Sequence, residues 1–221
     1  MEHHIAINDL HSDQASLSAI KYFVIAGPQA AGKSTLVNAI SSERPAIITL
    51  EESRQIIVHK YQRKGAIFMT RDDEVEVIHH DMTRMFSIIG GDSRDRVEVY
   101  LDETNVFTIG HARAHGIDLV AGYYKQYCDM LARLQCAVLF LDVPPDISWS
   151  RRRHRYLQRL WDFEPNERND LMARYEDYLR RLYPELQRIF DHLACPKRRI
   201  DATGTPDQVL RAALKTFHEL G

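Results

Sequence analysis

Apolar residues in this chain come alternately as short runs and as helical stripes. Lys21–Ala26 (KYFVIA) is an apolar run that stops at Gly27 and reads as a buried strand. Lys33–Ser41 follows with Leu36, Val37 and Ile40 at helical spacing. Pro45–Leu50 is a second strand, and Glu52–Tyr61 reads as a helix. Arg71–Ile89 sets Val75, Ile78, Met82, Met85, Phe86 and Ile89 three or four apart, an amphipathic helix stopped by Gly90-Gly91. Arg96–Leu101 alternates as a third strand, and His115–Leu134 is predicted helical. Ala137–Leu141 is a fourth strand, ended by Pro144-Pro145. Asp146–His192 is predicted as one long helical stretch, and Arg199–Ile200 ends a fifth strand. Pro206–Leu220 opens with proline and carries Val209, Leu210, Ala213, Leu214 and Phe217 on one face. Strand and helix in alternation predict a parallel sheet covered on both faces, with ligands at the carboxyl ends of its strands.

Composition narrows the class. The chain has 221 residues, 44% apolar and 27% charged, enough to bury a core. A net charge of −2 gives no global pull toward a nucleic-acid polymer or an anionic membrane. No apolar run is long enough to span a bilayer, and Met-Glu-His-His-Ile lacks the character of a signal peptide, so a cytoplasmic protein is expected. Cys128, Cys136 and Cys195 are odd in number with no C-x-x-C pair, which argues against a disulfide scaffold or a thiolate zinc site and for inert thiols. The expected organisation is an N-terminal extension over 1–19 and a single domain over 20–221.

The sharpest chemical signal is Gly27-Pro28-Gln29-Ala30-Ala31-Gly32-Lys33-Ser34-Thr35, which fills G-x-x-x-x-G-K-[ST] between a strand and a helix. Its glycines let successive N–H groups turn toward phosphate oxygens, and the helix start adds its positive end. Lys33 can reach the β- and γ-phosphates and the Ser34 hydroxyl can sit on Mg²⁺, so ATP and Mg²⁺ are the implied cofactors. Strand two ends in Leu50-Glu51-Glu52-Ser53-Arg54 and strand three in Leu101-Asp102-Glu103-Thr104-Asn105. A parallel sheet brings both ends to the edge that holds the loop. Asp102 is the expected magnesium-side acid. Glu51 is expected at the acceptor hydroxyl, either of the two serving as base, with Arg54 and Glu103 at the substrate and Glu52 and Glu103 as substitutes.

Ser150–Arg159 (SRRRHRYLQR) carries five arginines and no acid. On a helix Arg151, Arg155 and Arg159 share a face, which suits a lid over about 146–170 that closes on a triphosphate and neutralises charge during transfer. His111 and His115 are four apart but have no apparent third metal ligand. His79-His80 reads as a solvated pair. Tyr123, Tyr124, Trp149 and Trp161 read as packing, with stacking on a substrate ring the other option.

Together these motifs resemble the P-loop kinases of nucleosides and nucleotides, notably thymidylate kinase and the deoxynucleoside kinases. Leu141–Arg155 (LDVPPDISWSRRRHR) looks like the passage from strand four into the thymidylate kinase lid, where two arginines four apart flank the nucleotide; Arg151 and Arg155 match. Tyr175–Tyr178 and Ile200–Thr205 resemble that family's last third, which implies adenine near Asp201, Ala202 and Thr203. The front half departs from it: T-R-E-P and D-R-Y/S are replaced by T-L-E-E-S-R and L-D-E-T-N. Glu51…Arg54 with Asp102…Thr108 looks closer to the nicotinamide-riboside kinase domain and related small P-loop ATPases. The resemblance implies a P-loop NTPase fold, a three-layer α/β/α domain with a five-stranded parallel sheet and an arginine-rich helical lid. It further implies an ATP-dependent kinase acting on a small-molecule phosphoryl acceptor, a nucleoside or nucleoside monophosphate, in a monomer or a homodimer. The competing reading is an ATPase switch or motor module with a protein partner. Asp102-Glu103 would suit that module, but an L-S-G-G-Q signature and a C-terminal helical lid domain are missing from the sequence.

Overall fold

The computed structural model describes residues 21–43, 46–60, 69–90, 99–118 and 121–220; the expected extension over 1–19 lies outside them. Strand β1 (Lys21–Ala26) is the axis of the sheet, and its residues Tyr22 to Ala26 are almost wholly buried. A continuous apolar run suits a strand covered on both faces. β2 (Ile47–Leu50), β3 (Val99–Glu103), β4 (Cys136–Asp142) and β5 (Lys197–Asp201) join it in the order β2-β3-β1-β4-β5, all parallel. The expected five-stranded parallel sheet with helices on both faces is therefore present.

The pleat sorts the core into two layers. Tyr22, Val24, Tyr100, Val138 and Phe140 face one side, under α3 (Arg71–Gly90), α4 (Thr108–Ala114), α5 (Ala121–Arg133) and α7 (Pro165–His192). Phe23, Ile25, Leu101, Leu139 and Leu141 face the other, under α1 (Lys33–Glu43) and α8 (Pro206–Leu220). α2 (Ser53–Lys60) packs on α3, and α6 (Pro145–Arg159) on α7.

Three expected boundaries change. β3 runs through Glu103, so Asp102 and Glu103 lie inside the strand rather than beyond it, while its expected start at Arg96 lies outside the described residues. Of the helix expected over His115–Leu134 the structure forms α5 from Ala121, and a separate helix, α4, ends just before His115. α4 stops at Ala114 because Gly116 takes φ 77°, donating from its N–H to the Arg113 carbonyl (2.9 Å) while Ile117 donates to that of Ala112 (2.9 Å). That paired bonding satisfies the last carbonyls of α4 and turns the chain away. The stretch expected to be helical from Asp146 to His192 is broken between Arg159 and Pro165, where proline starts α7 at a position that needs no N–H.

Candidate active site

β1 passes straight into the phosphate loop. Gly27 sits at φ 143°, and a Cβ there would lie 2.4 Å from the Leu141 carbonyl oxygen, so only glycine fits between loop and β4. Gly32, at φ 99°, turns the chain into α1. Lys33 folds back over the loop and donates to the carbonyls of Gly27 and Pro28, both at 3.1 Å. Its ammonium thus spans the mouth of the anion cradle. Ala31 is buried, while Gln29 and Ala30 are half-buried on the loop's far side. Thr35 borders a cavity described below.

The Ser34 hydroxyl donates to Glu103 Oε2 at 3.2 Å. Glu103, and not the expected Asp102, is the carboxylate beside the phosphate loop. Successive strand residues point to opposite faces. Glu103 pairs in register with Ile25 and meets α1, whereas Asp102 pairs with Val24 and turns under α3. Burial pushes the Glu103 carboxyl up, the Lys33 charge pulls it back, and nearby Glu52 adds to the rise. Immediately after Glu103, Thr104 (φ 78°, ψ −65°) makes a strained turn and Asn105 has φ 41°. That turn aims the Thr104 hydroxyl at Glu52 Oε1 (3.1 Å) and the Asn105 amide at Asp102 Oδ2 (2.8 Å).

Asp102 is 0% exposed and lies in a closed network. Tyr22 donates to it, and Arg84 donates to both its oxygens at 2.9 Å. The same Arg84 nitrogen donates to Asp81 at 3.1 Å, and its other terminal nitrogen donates to the Glu51 carbonyl at 2.6 Å. Asp81 also accepts from Ser53 and from Tyr127 (2.9 Å). Burial raises both carboxyls, Asp81 to about 7, and the Arg84 charge opposes the rise. Asp81 and Arg84 were not separable from ordinary helix charges by pattern; the network joins Asp102 to Tyr22, Ser53, Asp81, Arg84 and Asn105 from four further elements.

The other acceptor-side expectations divide. The Glu51 side chain is exposed, and what the structure anchors there is its backbone carbonyl. Glu52 is the residue turned inward, close enough to Glu103, Arg54 and Arg152 for its charge to act on each. Arg54, expected at the substrate, is closed into a two-pronged pair with Glu74 at 2.6 Å and 2.6 Å. The rings of His111 and His115 both lie against Tyr178, and burial holds both imidazoles neutral, His115 at about 3.

The lid arginines are also redistributed. Arg151 reaches backbone carbonyls: Ala202 at 2.9 Å, Thr203 at 3.0 Å and Gly204 at 3.0 Å. It ties α6 to the turn after β5. Arg152, not singled out by the four-residue spacing, donates to the Tyr156 hydroxyl (3.2 Å) and feels the charge of Glu52. Arg155 is exposed and borders, with Arg151 and Arg152, a cavity of about 340 Å³ on the outer side of the loop. Ala30, Leu141, Val209 and Ala213 supply its apolar wall. Gly204 borders it directly, while the Asp201 carboxylate is engaged by the Thr203 N–H at 2.9 Å. Gln29 fastens the loop to the helices: its side-chain carbonyl meets the hydroxyls of Tyr156 (2.6 Å) and Tyr175, and its backbone carbonyl accepts from Ser148 at 2.6 Å.

Among the described residues no helix is long and apolar enough to cross a membrane. No protein-family model matches the chain, and no curated protein sequence matches it. Solved structures do. Deoxyadenosine kinase from M. mycoides with the products dCMP and dCDP bound matches with a TM-score of 0.58 at 14% identity, over 90% of this chain and 99% of that one. The same enzyme with dCTP bound gives a TM-score of 0.57 at 14% identity, over 90% and 99% of the two chains. With dATP bound it gives 0.53 at 14%, over 89% and 98%. At that identity the likeness is one of fold: a five-stranded parallel sheet flanked by helices, built nearly end to end on the same plan.

Proposed function

We propose that the chain is a phosphotransferase that moves the γ-phosphoryl group of ATP to a hydroxyl of a nucleoside-class acceptor. The observation that carries this reading is the meeting of Ser34 with Glu103 at 3.2 Å at the mouth of the phosphate loop, with Glu52 close by. A hydroxyl acceptor needs a carboxylate beside the triphosphate, and catalysis of this kind is mostly positioning and charge neutralisation.

In this reading the apolar cavity bordered by Ala30, Leu141 and Val209 takes the adenine. Lys33 exchanges its bonds to Gly27 and Pro28 for β- and γ-phosphate oxygens. Ser34 and Glu103 are hard oxygen donors that would hold Mg²⁺, whose charge would screen that of the transferring group. Glu52 accepts the proton of the acceptor hydroxyl as its oxygen attacks the γ-phosphorus; the bond to the bridging oxygen breaks and ADP leaves. Arg152 faces the charge that spreads over the phosphoryl oxygens. Glu52, Glu103 and Arg152 thus take the roles first expected of Glu51, Asp102 and Arg155.

The acceptor side favours an uncharged nucleoside over a nucleoside monophosphate. Arg54 and Arg84 are each committed to buried carboxylates, so among the described residues neither offers a free cation to an acceptor phosphate. The likeness of fold to a kinase that binds deoxycytidine nucleotides supports the same class. The test is ADP release from Mg·ATP with a panel of nucleosides, nucleoside monophosphates and sugars, using Lys33→Ala as the blank. Stimulation by one nucleoside supports the reading. ADP release that no acceptor changes would point instead to an ATPase switch.

A further inference from the structure

All three cysteines of the chain border one cavity of about 560 Å³ at the end of the sheet away from the phosphate loop. Cys136 opens β4 and is 2% exposed, while Cys195 and Cys128 are half-buried against the same core layer. β4 and β5 are parallel neighbours with Val138 opposite Lys197, and Val138 donates to the Pro196 carbonyl at 2.9 Å. Cys136 and Cys195 lie just ahead of that first pair, and their thiols are within hydrogen-bond reach of each other. Neighbouring strands lie roughly 4.8 Å apart, inside the Cα separation that a disulfide spans.

We propose that Cys136 and Cys195 are a peroxide-responsive pair that closes to a disulfide between the starts of β4 and β5. This stands on the strand register and the shared cavity, and it is independent of the kinase reading. Cys195 is the attacking thiol because it is the more exposed of the two and its thiolate is favoured by the neighbouring Cys136 thiol and by Lys197. Burial holds Cys136 protonated, which suits the second, resolving thiol. The Cys195 sulfur attacks one peroxide oxygen, the O–O bond breaks, and water leaves with a sulfenic acid on Cys195. The Cys136 sulfur, 3.4 Å from the Ala137 carbonyl and within hydrogen-bond reach of Cys195, then attacks the sulfenic sulfur. The S–S bond forms, the S–O bond breaks, and a second water leaves. Two thiols have lost two electrons and hydrogen peroxide has taken them.

The bond would close a loop of roughly 60 residues that contains β4, α6 and α7, and a link of that span raises Tm by about 8–16 °C. The full chain, reduced and desalted, is treated with a small excess of hydrogen peroxide. Titratable thiols should fall from three to one, intact mass should drop by about 2 Da, and a peptide map should join Cys136 to Cys195. Cys128→Ser should keep the mass loss and the Tm rise, and Cys195→Ser should lose both. Three surviving thiols, a sulfinic acid on Cys195 without a link, or a link through Cys128 would each overturn the proposal.

Discussion

Arg84 is the single cation within hydrogen-bond reach of both Asp81 and Asp102 among the described contacts, and replacing it by methionine probes the network directly. The arginine is 15% exposed and its two carboxylate partners 3% and 0%, so little water is at hand to take its place. Removing one partner from a buried ionic cluster costs about 3–5 kcal/mol, because the remaining charges keep their desolvation and lose their compensation. For a chain of this size that is a fall in Tm of about 6–20 °C. The loss has a pH signature. Burial already lifts Asp81 to about 7, and Arg84 is the group that holds both acids down. In Arg84→Met both carboxyls rise further, so the folded state binds protons that the unfolded chain releases. A folded-state pKa above the unfolded value gives stability at low pH that is lost as pH climbs through the folded pKa. Arg84→Met should therefore be hurt much more at pH 8 than at pH 5 in urea unfolding. Adding Asp102→Asn to it should recover part of the loss at pH 8. A deficit below about 1 kcal/mol, or one equal at both pH values, would refute the reasoning.

Lys33→Ala should lower turnover by about 100-fold or more with the Tm nearly unchanged, read by coupled ADP release. Glu52→Gln should cut kcat by about 10²–10⁴-fold while Glu51→Gln leaves it within a factor of a few; the reverse order would restore Glu51 as the base. Gly27→Ala should destabilise by about 3 kcal/mol or more, since its methyl meets the Leu141 carbonyl at 2.4 Å, and a thermal melt checks it. Tyr156→Phe should lower stability by about 1–2 kcal/mol and, in steady-state kinetics, raise the KM for ATP and lower kcat together, because it loosens Gln29 and releases Arg152.

The sequence was most informative where the chemistry is local. Gly27 to Thr35 declares its shape through residues that only that turn requires, β1 and β4 follow from runs too apolar to lie outside a core, and α8 follows from an apolar stripe on one face. Phase was harder to read. Asp102 and Glu103 are adjacent acids, and only the register of β3 against β1 decides which one meets α1. The same holds for Arg151 and Arg152: a one-residue rotation of α6 exchanges a backbone tie for a place beside Glu52. The stop at Gly116 was legible in principle, since glycine followed by isoleucine is a helix-ending pair, but the apolar stripe that resumes at Tyr123 hid it. Glu74 and Asp81 look like solvated helix charges until α2 and β3 are packed against them.

Gln29 has a consequence for how a nucleotide would arrive. Its clasp by Ser148, Tyr156 and Tyr175, together with the Arg151 tie to Ala202, Thr203 and Gly204, locks the loop, α6, α7 and the β5–α8 turn into one pre-assembled body. The ordering entropy of that half is spent at folding, not at binding. Under the proposed function a triphosphate would meet a finished seat, and its association would be a single fast step limited by diffusion and orientation.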